Sequence, residues 1–290
     1  MSVASRAIRE PTQRTLLPLW IVLATMLACG HAAAQSAALD LAHFLPAASH
    51  AQAASAGESP AAGFANARVA VNPAAASATP VGERMCIACH QLESDHFTHT
   101  FHALGLHAAS KTDASIPVCE TCHGAGSLHA QDPTSKGLII GFTKTSGTPI
   151  AVQTATCLTC HEGGPRDHWS GSVHQRNQLS CSDCHNPMAK FSGEGLLARA
   201  SINDTCAQCH RDVLVQFHRR SHMPLPEGQM SCVDCHNPHG SITSPLLKTN
   251  TVNETCYQCH AEKRGPFLFE HAPVRENCLN CHTPHGSNQH

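Results

Sequence analysis

Hydrophobic positions in this chain form one long run near the N-terminus, in which Thr25 is the only polar residue. The run covers residues 16–29, which is 14 residues, whereas a membrane-spanning helix needs roughly 20. Three arginines precede it and a small-residue Ala-Ala-Ala stretch follows it. The pattern is typical of an export signal peptide over residues 1–34, which indicates a periplasmic destination. An uncleaved membrane anchor and a lipoprotein acylated at Cys29 are the weaker alternatives.

After the signal, the apolar pattern becomes weak and irregular. Residues 35–80 are rich in Ala, Ser, Pro and Gly without a helical or strand period, which predicts a flexible linker. Farther along, the Asn-Asp-Thr and Asn-Glu-Thr triplets at 203–205 and 253–255 suit the N-termini of short helices. Residues 137–148 could form a hairpin. We therefore expect short α-helices and irregular coil, with little sheet.

The composition shows that aromatic residues cannot build the core. The chain has only 9 Phe, 2 Trp and 1 Tyr, against 17 Cys and 24 His. Its formal net charge of −2 argues against a basic nucleic-acid-binding surface. The predicted signal holds three of the arginines and one glutamate, so the remainder carries −4. Such an acidic surface suits basic docking patches on redox partners.

All cysteines beyond the predicted signal belong to Cys-x-x-Cys pairs that are followed at once by histidine. This is the attachment motif of c-type haem, in which two thiols bond the vinyl groups and the histidine binds the iron. Zinc sites need no histidine at that position, and redox dithiols of the thioredoxin kind lie in a βαβ pattern that is absent from the sequence. We therefore expect eight covalently attached haems c. The motifs are Cys86, Cys89 and His90; Cys119, Cys122 and His123; Cys157, Cys160 and His161; Cys181, Cys184 and His185; Cys206, Cys209 and His210; Cys232, Cys235 and His236; Cys256, Cys259 and His260; and Cys278, Cys281 and His282.

The spacing of the motifs indicates a repeat of two haems. Alternate motifs that begin at Cys157, Cys206 and Cys256 are 49 and 50 residues apart. The haem domain is thus predicted over residues 81–290. Its four units cover about 81–150, 151–200, 201–250 and 251–290.

Recurrent histidines in these units are the candidate distal ligands. Each unit has an aromatic residue followed by histidine between its two motifs, and units one, three and four have another histidine after the second motif. In unit two, the Asn-Pro-Met sequence at 186–188 has methionine where the equivalent segments have His239 and His285. His168 is the preferred eighth ligand, and the alternatives are His96, His99, His107, His218 and the thioether of Met188. The predicted distal set is His102, His129, His174, His222, His239, His271, His285 and His168.

Two segments of this repeat resemble a known family. They are residues 265–287 and the Cys-His-Asn-Pro-His-Gly sequence that ends at 240. Both look like the periplasmic decahaem cytochromes of the DmsE/MtrA type, over roughly residues 81–288 in all. The resemblance implies an elongated row of haems that inserts into an outer-membrane β-barrel porin. It also implies electron exchange with periplasmic or inner-membrane redox cytochromes and with an extracellular cytochrome, reductase or mineral.

This chain departs from that family in having eight motifs rather than ten. It is either a natural octahaem variant or the product of a truncated reading frame, and an alternative role for His285 is to serve a haem that this chain lacks. The leading function is a porin-associated electron conduit, because irons with two protein ligands leave no position for a substrate. The alternatives are a soluble periplasmic shuttle and an octahaem reductase of nitrite, hydroxylamine or tetrathionate. The reductase alternative depends most on unit two, because its irregular sequence around Met188 could leave one iron without a strong sixth ligand.

Overall fold

A computed structural model of the chain describes Phe64, residues 66–269 and residues 271–289. The predicted signal peptide over 1–34 and most of the predicted linker over 35–80 lie outside the described residues. Within the described ranges the chain consists of helices and coil, and strand pairing is limited to isolated bridges. The predicted fold class is therefore confirmed. In the same ranges, no helix is both long and apolar enough to cross a membrane.

The helices of the described residues are short, and none exceeds the 12 residues of α3. The α-helices are α1 (Glu83–Ile87), α2 (Gln91–Phe97), α3 (Phe101–Thr112), α4 (Glu120–His123), α5 (Ser127–Gln131), α6 (Ile150–Leu158), α7 (Val173–Arg176), α8 (Ile202–Ala207), α9 (Arg211–Gln216), α10 (Cys232–Cys235), α11 (Val252–Tyr257) and α12 (Ala272–Glu276). Single 3-10 turns cover Pro73–Ala75, Gly164–Arg166, Cys181–Asp183, Ala261–Lys263 and Cys278–Asn280.

Hydroxyl side chains set the start of the haem-motif helices. Ser201 Oγ accepts a hydrogen bond from Asp204 N at the start of α8, and Thr251 Oγ1 accepts one from Glu254 N at the start of α11. Helix starts near these triplets are found as expected, but each cap lies two residues before its triplet. The reason is that the first residue of each triplet, an asparagine, binds another part of the chain.

Those asparagines join the two motifs of a unit. Asn203 Oδ1 accepts a hydrogen bond from Cys232 N at 3.0 Å, and its Nδ2 donates to Met230 O at 3.1 Å. Asn253 does the same in unit four, where its Oδ1 accepts from Cys278 N at 2.9 Å. One side chain thereby satisfies two backbone groups beside the second motif, so the distance between the motifs is held by the first helix.

The residues of 137–148 form turns rather than the predicted hairpin. Thr148 Oγ1 accepts a hydrogen bond from Gly141 N at 3.0 Å, and Ser146 Oγ donates to Gly141 O at 3.0 Å. Hydroxyl groups here take the backbone partners that a cross-strand ladder would need. The hairpin prediction was wrong for this reason.

Residues 66–80, which the sequence assigns to the linker, pack against unit one. Asn72 Nδ2 donates to Gly137 O at 2.9 Å. The buried carboxylate of Glu120 accepts hydrogen bonds from Val81 N at 2.9 Å and Gly82 N at 3.1 Å. A buried carboxylate needs such donors, and the chain just before the first motif supplies them.

Side chains provide only a small core. The main apolar cluster is formed by α3 and its neighbours in unit one, and the fully buried larger side chains are Leu106, Ile140 and Thr100. In the next two units the buried aromatics are Trp169 and Phe217, at the positions that precede the candidate distal histidines. The core is thus distributed along the repeat rather than gathered in one place.

Glycines with positive φ allow neighbouring units to touch. Gly240 has φ +118° and its Cα lies against the backbone of His168, while Gly286 has φ +149° and lies against Gln216. His168 and Gln216 each precede the buried aromatic of the preceding unit. The Pro-His-Gly segment of one unit therefore packs against the backbone of the unit before it.

Gly240→Ala is expected to lower the free energy of unfolding of the haem-loaded protein by about 1–3 kcal/mol. A Cβ at this position would overlap the His168 carbonyl, and the φ of +118° is unfavourable for alanine. The matched control is Gly193→Ala, because nothing lies within 4 Å of a Cβ built there. Chemical denaturation of both variants measures the effect, and equal stabilities would contradict it.

Candidate haem sites

Each motif forms one helical turn that directs its three functional side chains to one side. In all eight motifs the histidine N donates to the carbonyl of the first cysteine, at 2.9–3.1 Å. Residues that are three and four positions apart lie on the same face of a helix. The two thiols and the imidazole of each motif therefore share one face, as attachment of a single macrocycle requires.

The second-motif histidines of units one to three are oriented by backbone carbonyls. A carbonyl can only accept, so the Nδ1 of each imidazole carries the proton and its Nε2 lone pair is free for a metal. The distances from Nδ1 to oxygen are 2.6–2.9 Å. The pairs are His123 with Ile140 O, His185 with Gly195 O and His236 with Pro245 O.

Five motif histidines face a second imidazole at the separation that iron requires. Metal–imidazole bonds are about 2 Å long, so two imidazoles on opposite sides of one iron have ring centres about 6 Å apart. The observed ring centres are 5.8–6.2 Å apart. The pairs are His90 with His129, His161 with His102, His210 with His174, His185 with His239, and His236 with His285.

Most of these pairs join different units. His102 and His174 face the first motif of the following unit, whereas His239 and His285 face the second motif of the preceding unit. Only His129 faces a motif of its own unit. The partner of His285 is within this chain, so the structure offers this histidine an iron site without any further motif.

The remaining predicted distal histidines are not opposite a motif histidine in the described part of the chain. His222 Nδ1 donates to Arg219 O at 2.6 Å, and its Nε2 lies 3.1 Å from Glu227 Oε1, which raises the pKa of this imidazole. His271 is exposed, and His168 is exposed with its carbonyl against Gly240.

The second cysteines of the eight motifs differ in exposure. Cys122 and Cys235 are half-buried, whereas the second cysteines of the other six motifs are exposed: Cys89, Cys160, Cys184, Cys209, Cys259 and Cys281. His282 of the last motif is also exposed, and across the described ranges it faces no second imidazole.

The cysteines connect the motifs in the order of the sequence. Within each unit, the first cysteines of the two motifs interact directly, and the hydrogen bond from Cys119 lowers the pKa of Cys86 to about 7. Between units, the second cysteines approach one another, and the pKa of Cys122 is raised to about 11 by burial and by the nearby Cys160. The within-unit pairs are Cys86 with Cys119, Cys157 with Cys181, Cys206 with Cys232, and Cys256 with Cys278, and the between-unit pairs are Cys122 with Cys160, Cys184 with Cys209, and Cys235 with Cys259.

Comparison with known proteins agrees with this geometry. A family model described as "Doubled CXXCH motif" matches residues 173–214 and 222–265, and one described as "Cytochrome c-type protein NrfB-like" matches residues 119–192. The multiheme cytochrome MtrA of Shewanella baltica (strain OS185) is 39% identical over 202 residues. The chain belongs to the MtrA-type multihaem c-type cytochromes. The alignment covers 69% of this chain and 59% of that relative, so this MtrA-type cytochrome spans less than two thirds of its relative's length.

The residues of this MtrA-type cytochrome fit haem c. Covalent attachment needs two thiols one turn apart, and iron needs neutral imidazoles. Burial lowers the pKa of His102, His123, His239 and His285, which keeps these rings in the neutral, metal-binding form. When bound, haem c supplies reversible one-electron oxidation and reduction at its iron. The chain's own side chains therefore fit the covalent haem of this family.

The sequence did not reveal several residues that shape these sites. The carbonyls that orient the motif histidines carry no residue-type signal, and Asn203 and Asn253 were interpreted as capping residues. Glu120 follows a haem cysteine, yet it binds Val81, Gly82 and Gly126 through their backbone N–H groups. The repeated Asn three residues before Cys206 and Cys256 was the one available sequence signal for the link between motifs.

Proposed function

We propose that this MtrA-type cytochrome carries eight haems c and conducts electrons along them in the order of their motifs. The observation that carries the proposal is the unbroken series of cysteine neighbours from Cys86 to Cys278. First cysteines interact directly within units, and second cysteines of neighbouring units are close enough that one raises the pKa of the other, so successive motifs lie near one another along the series. Cysteines in these positions would hold successive macrocycles near one another, which would favour electron transfer along the series.

We further propose the axial ligands of these haems. The ring separations support His129, His102, His174, His239 and His285 as the distal ligands of the motifs that they face. His222 would serve the His260 motif, since His102 and His174 both face the first motif of the next unit. This requires His222 to leave Glu227. In this pattern, His271 has no partner among the eight motif histidines. Likewise, no residue of the eight-motif set is assigned as the distal ligand opposite His282. Where an iron has two protein ligands, electron transfer is favoured over catalysis.

The proposed location is the periplasm, with an outer-membrane β-barrel porin as partner. Periplasmic or inner-membrane cytochromes would supply or accept electrons on one side, and an extracellular cytochrome or reductase on the other. The support is the resemblance to MtrA-type proteins, the signal-like residues 1–34 and the net charge of −4 that remains without them. A soluble shuttle is the competing arrangement.

Reconstitution with the porin tests the proposed function. The full chain is produced with haem-attachment machinery and the host's candidate porin, and is incorporated into vesicles that enclose a reduced viologen dye. We expect dye oxidation by an external ferric acceptor only when cytochrome and porin are both present. Intact-mass measurement should show eight haem additions. Recovery of the cytochrome solely in the soluble periplasmic fraction, without vesicle activity, would favour the shuttle instead.

A further inference from the structure

We propose that Met188 is the sixth ligand of the iron at the Cys119–His123 motif. One haem of this chain would then have a thioether opposite its histidine, in place of the second imidazole of its neighbours. The inference rests on the proposed haem loading and concerns one ligand within it. It assigns a role to the residue that interrupts the repeat.

Met188 is presented by the same local backbone as His239. Asn186 Oδ1 accepts a hydrogen bond from Met188 N at 3.0 Å, just as Asn237 Oδ1 accepts one from His239 N at 3.2 Å. The backbone N of Asn186 donates to Leu196 O at 2.6 Å, and that of Asn237 donates to Leu246 O at 2.7 Å. Residues 196 and 246 both have positive φ, at +46° and +64°. Each turn therefore directs its residue from an equivalent position.

The equivalence extends to the motif beside each turn. His185 and His236 both donate from Nδ1 to a carbonyl of the loop that follows. The carbonyls of Cys184 and Cys235 both accept from the backbone of that loop, at 2.8 and 3.0 Å. Units two and three thus share one scaffold, and Met188 is its variable residue.

The register of this scaffold points to His123. His239 faces His185 with ring centres 6.1 Å apart, and His285 faces His236 with ring centres 6.2 Å apart. In both cases the residue after Asn-Pro or Thr-Pro reaches the second motif of the preceding unit. The second motif of the unit before Met188 is the one that contains His123.

The contacts of the Met188 segment place it on unit one. Met188 packs against the apolar cluster that contains Val118, the residue before Cys119. Lys190 Nζ lies 5.7 Å from the centre of the Phe101 ring in α3. His123 Nδ1 is bound to a carbonyl, which leaves Nε2 for iron, and no imidazole faces this ring in the described residues. Met188 therefore packs on the unit that contains His123, and its thioether is the donor that the repeat brings to this motif.

A second substitution accompanies the methionine. The residue after the ligand is Gly240 in unit three and Gly286 in unit four, and both lie directly on the preceding unit's backbone. Unit two has Ala189, which is 8% exposed. Its Cβ prevents an equally close approach, so the ligand must reach farther. Methionine is unbranched with three rotatable side-chain bonds and can span that distance.

The histidine alternatives lie elsewhere. His107 Nε2 is 2.9 Å from Glu83 Oε1, whereas His96, His99, His168 and His218 are exposed. The backbone of His168 belongs to the contact with unit three. We therefore assign the irregular position of unit two to Met188 and not to His168.

A thioether ligand raises the potential of its haem relative to bis-histidine neighbours. In the proposed order this haem is second from the Cys86 end. Electrons that enter the series would be held preferentially near that end. The methionine would therefore give this haem a higher reduction potential than the others, whose potentials would be more alike.

The test compares Met188→Leu, Met188→His and the control His168→Ala in the haem-loaded full chain. The wild type should show the near-infrared sulfur-to-iron charge-transfer band of a ferric methionine-ligated haem, from roughly one-eighth of its haems. Met188→Leu, of similar volume, should lose the band and gain one high-spin signal in electron paramagnetic resonance. Met188→His should lose the band, gain no high-spin signal, and lose the highest-potential step of a reductive titration. His168→Ala should match the wild type.

Absence of the band from the wild type would overturn the proposal, as would an added high-spin signal in His168→Ala but not in Met188→Leu. Met188→His keeps a strong ligand, so it remains informative if the leucine variant fails to fold. Mass measurement of the peptide that contains Cys119 and Cys122 distinguishes failure of the proposed haem loading from failure of the Met188 assignment. Missing haems on other peptides would contradict the proposed loading without affecting the band, whereas a haem-free Cys119 peptide would overturn both.

Discussion

Removal of the fourth haem is expected to reduce electron transfer between the two ends of this cytochrome by at least about tenfold, which corresponds to about 1.4 kcal/mol in the barrier. The variant replaces Cys181 and Cys184 with serine. Cys181 meets Cys157 of the third motif, and Cys184 approaches Cys209 of the fifth. Loss of both attachments opens a gap in the middle of the series. The vesicle assay with enclosed dye and external acceptor measures the loss.

The matched control removes the eighth haem through serine substitutions at Cys278 and Cys281. Both variants lose one cofactor, but the eighth motif adjoins only the seventh in the series, through Cys256 and Cys278. We expect the control to retain transfer above the background of protein-free vesicles. Intact mass should show the same haem count in both. Equal rates for the two variants would mean that transfer can bypass the fourth motif and that the order is not linear.

The second large effect is expected from omission of haem altogether. A chain produced without the attachment machinery, under reducing conditions, should show no cooperative thermal transition in circular dichroism. The whole stability of a typical domain, about 5–15 kcal/mol, would be absent. Only Leu106, Ile140 and Thr100 are fully buried among the larger described side chains. Helices as short as these are not stable by themselves, since isolated helices need about 12–15 residues even to be marginal.

The haem-loaded protein is the control for that experiment. It should melt cooperatively in the same buffer and retain its helical signal to a higher temperature. The reductant prevents the sixteen motif thiols from forming arbitrary disulfides in the haem-free sample. A native-like cooperative melt of the haem-free chain would refute the idea that the macrocycles supply the core.

Local features of this protein could be predicted from its sequence because they depend on neighbouring residues. One helical turn is enough to place two thiols and a histidine on one face, so the haem motifs are complete within five residues. Short helices and coil follow from the weak apolar periodicity, and family membership follows from the similarity around residues 265–287. Even here the caps were misplaced, because Asn203 can either cap a helix or bind the next motif.

The candidate distal ligands were recognisable as histidines, but their partners were not. His102 lies 59 residues from His161 in the chain and faces it across a unit boundary. The repeat showed equivalent positions for these histidines but did not indicate which motif each of them faces. The structure instead brings neighbouring units together, because Gly240 and Gly286 permit close backbone contact between them. His282 of the last motif is exposed and faces no second imidazole within the described residues.

By itself, the sequence determined the cofactor chemistry, the number of attachment motifs and the class of fold, since these depend on residue types at short spacing. The tertiary structure decided which imidazoles face each other, which motifs are neighbours in space, and the unit against which Met188 packs. These are contacts between residues far apart in the chain. They arise from the packing of one unit against the next. This packing depends on the backbone conformation at a few glycines and turns and not on the motifs themselves.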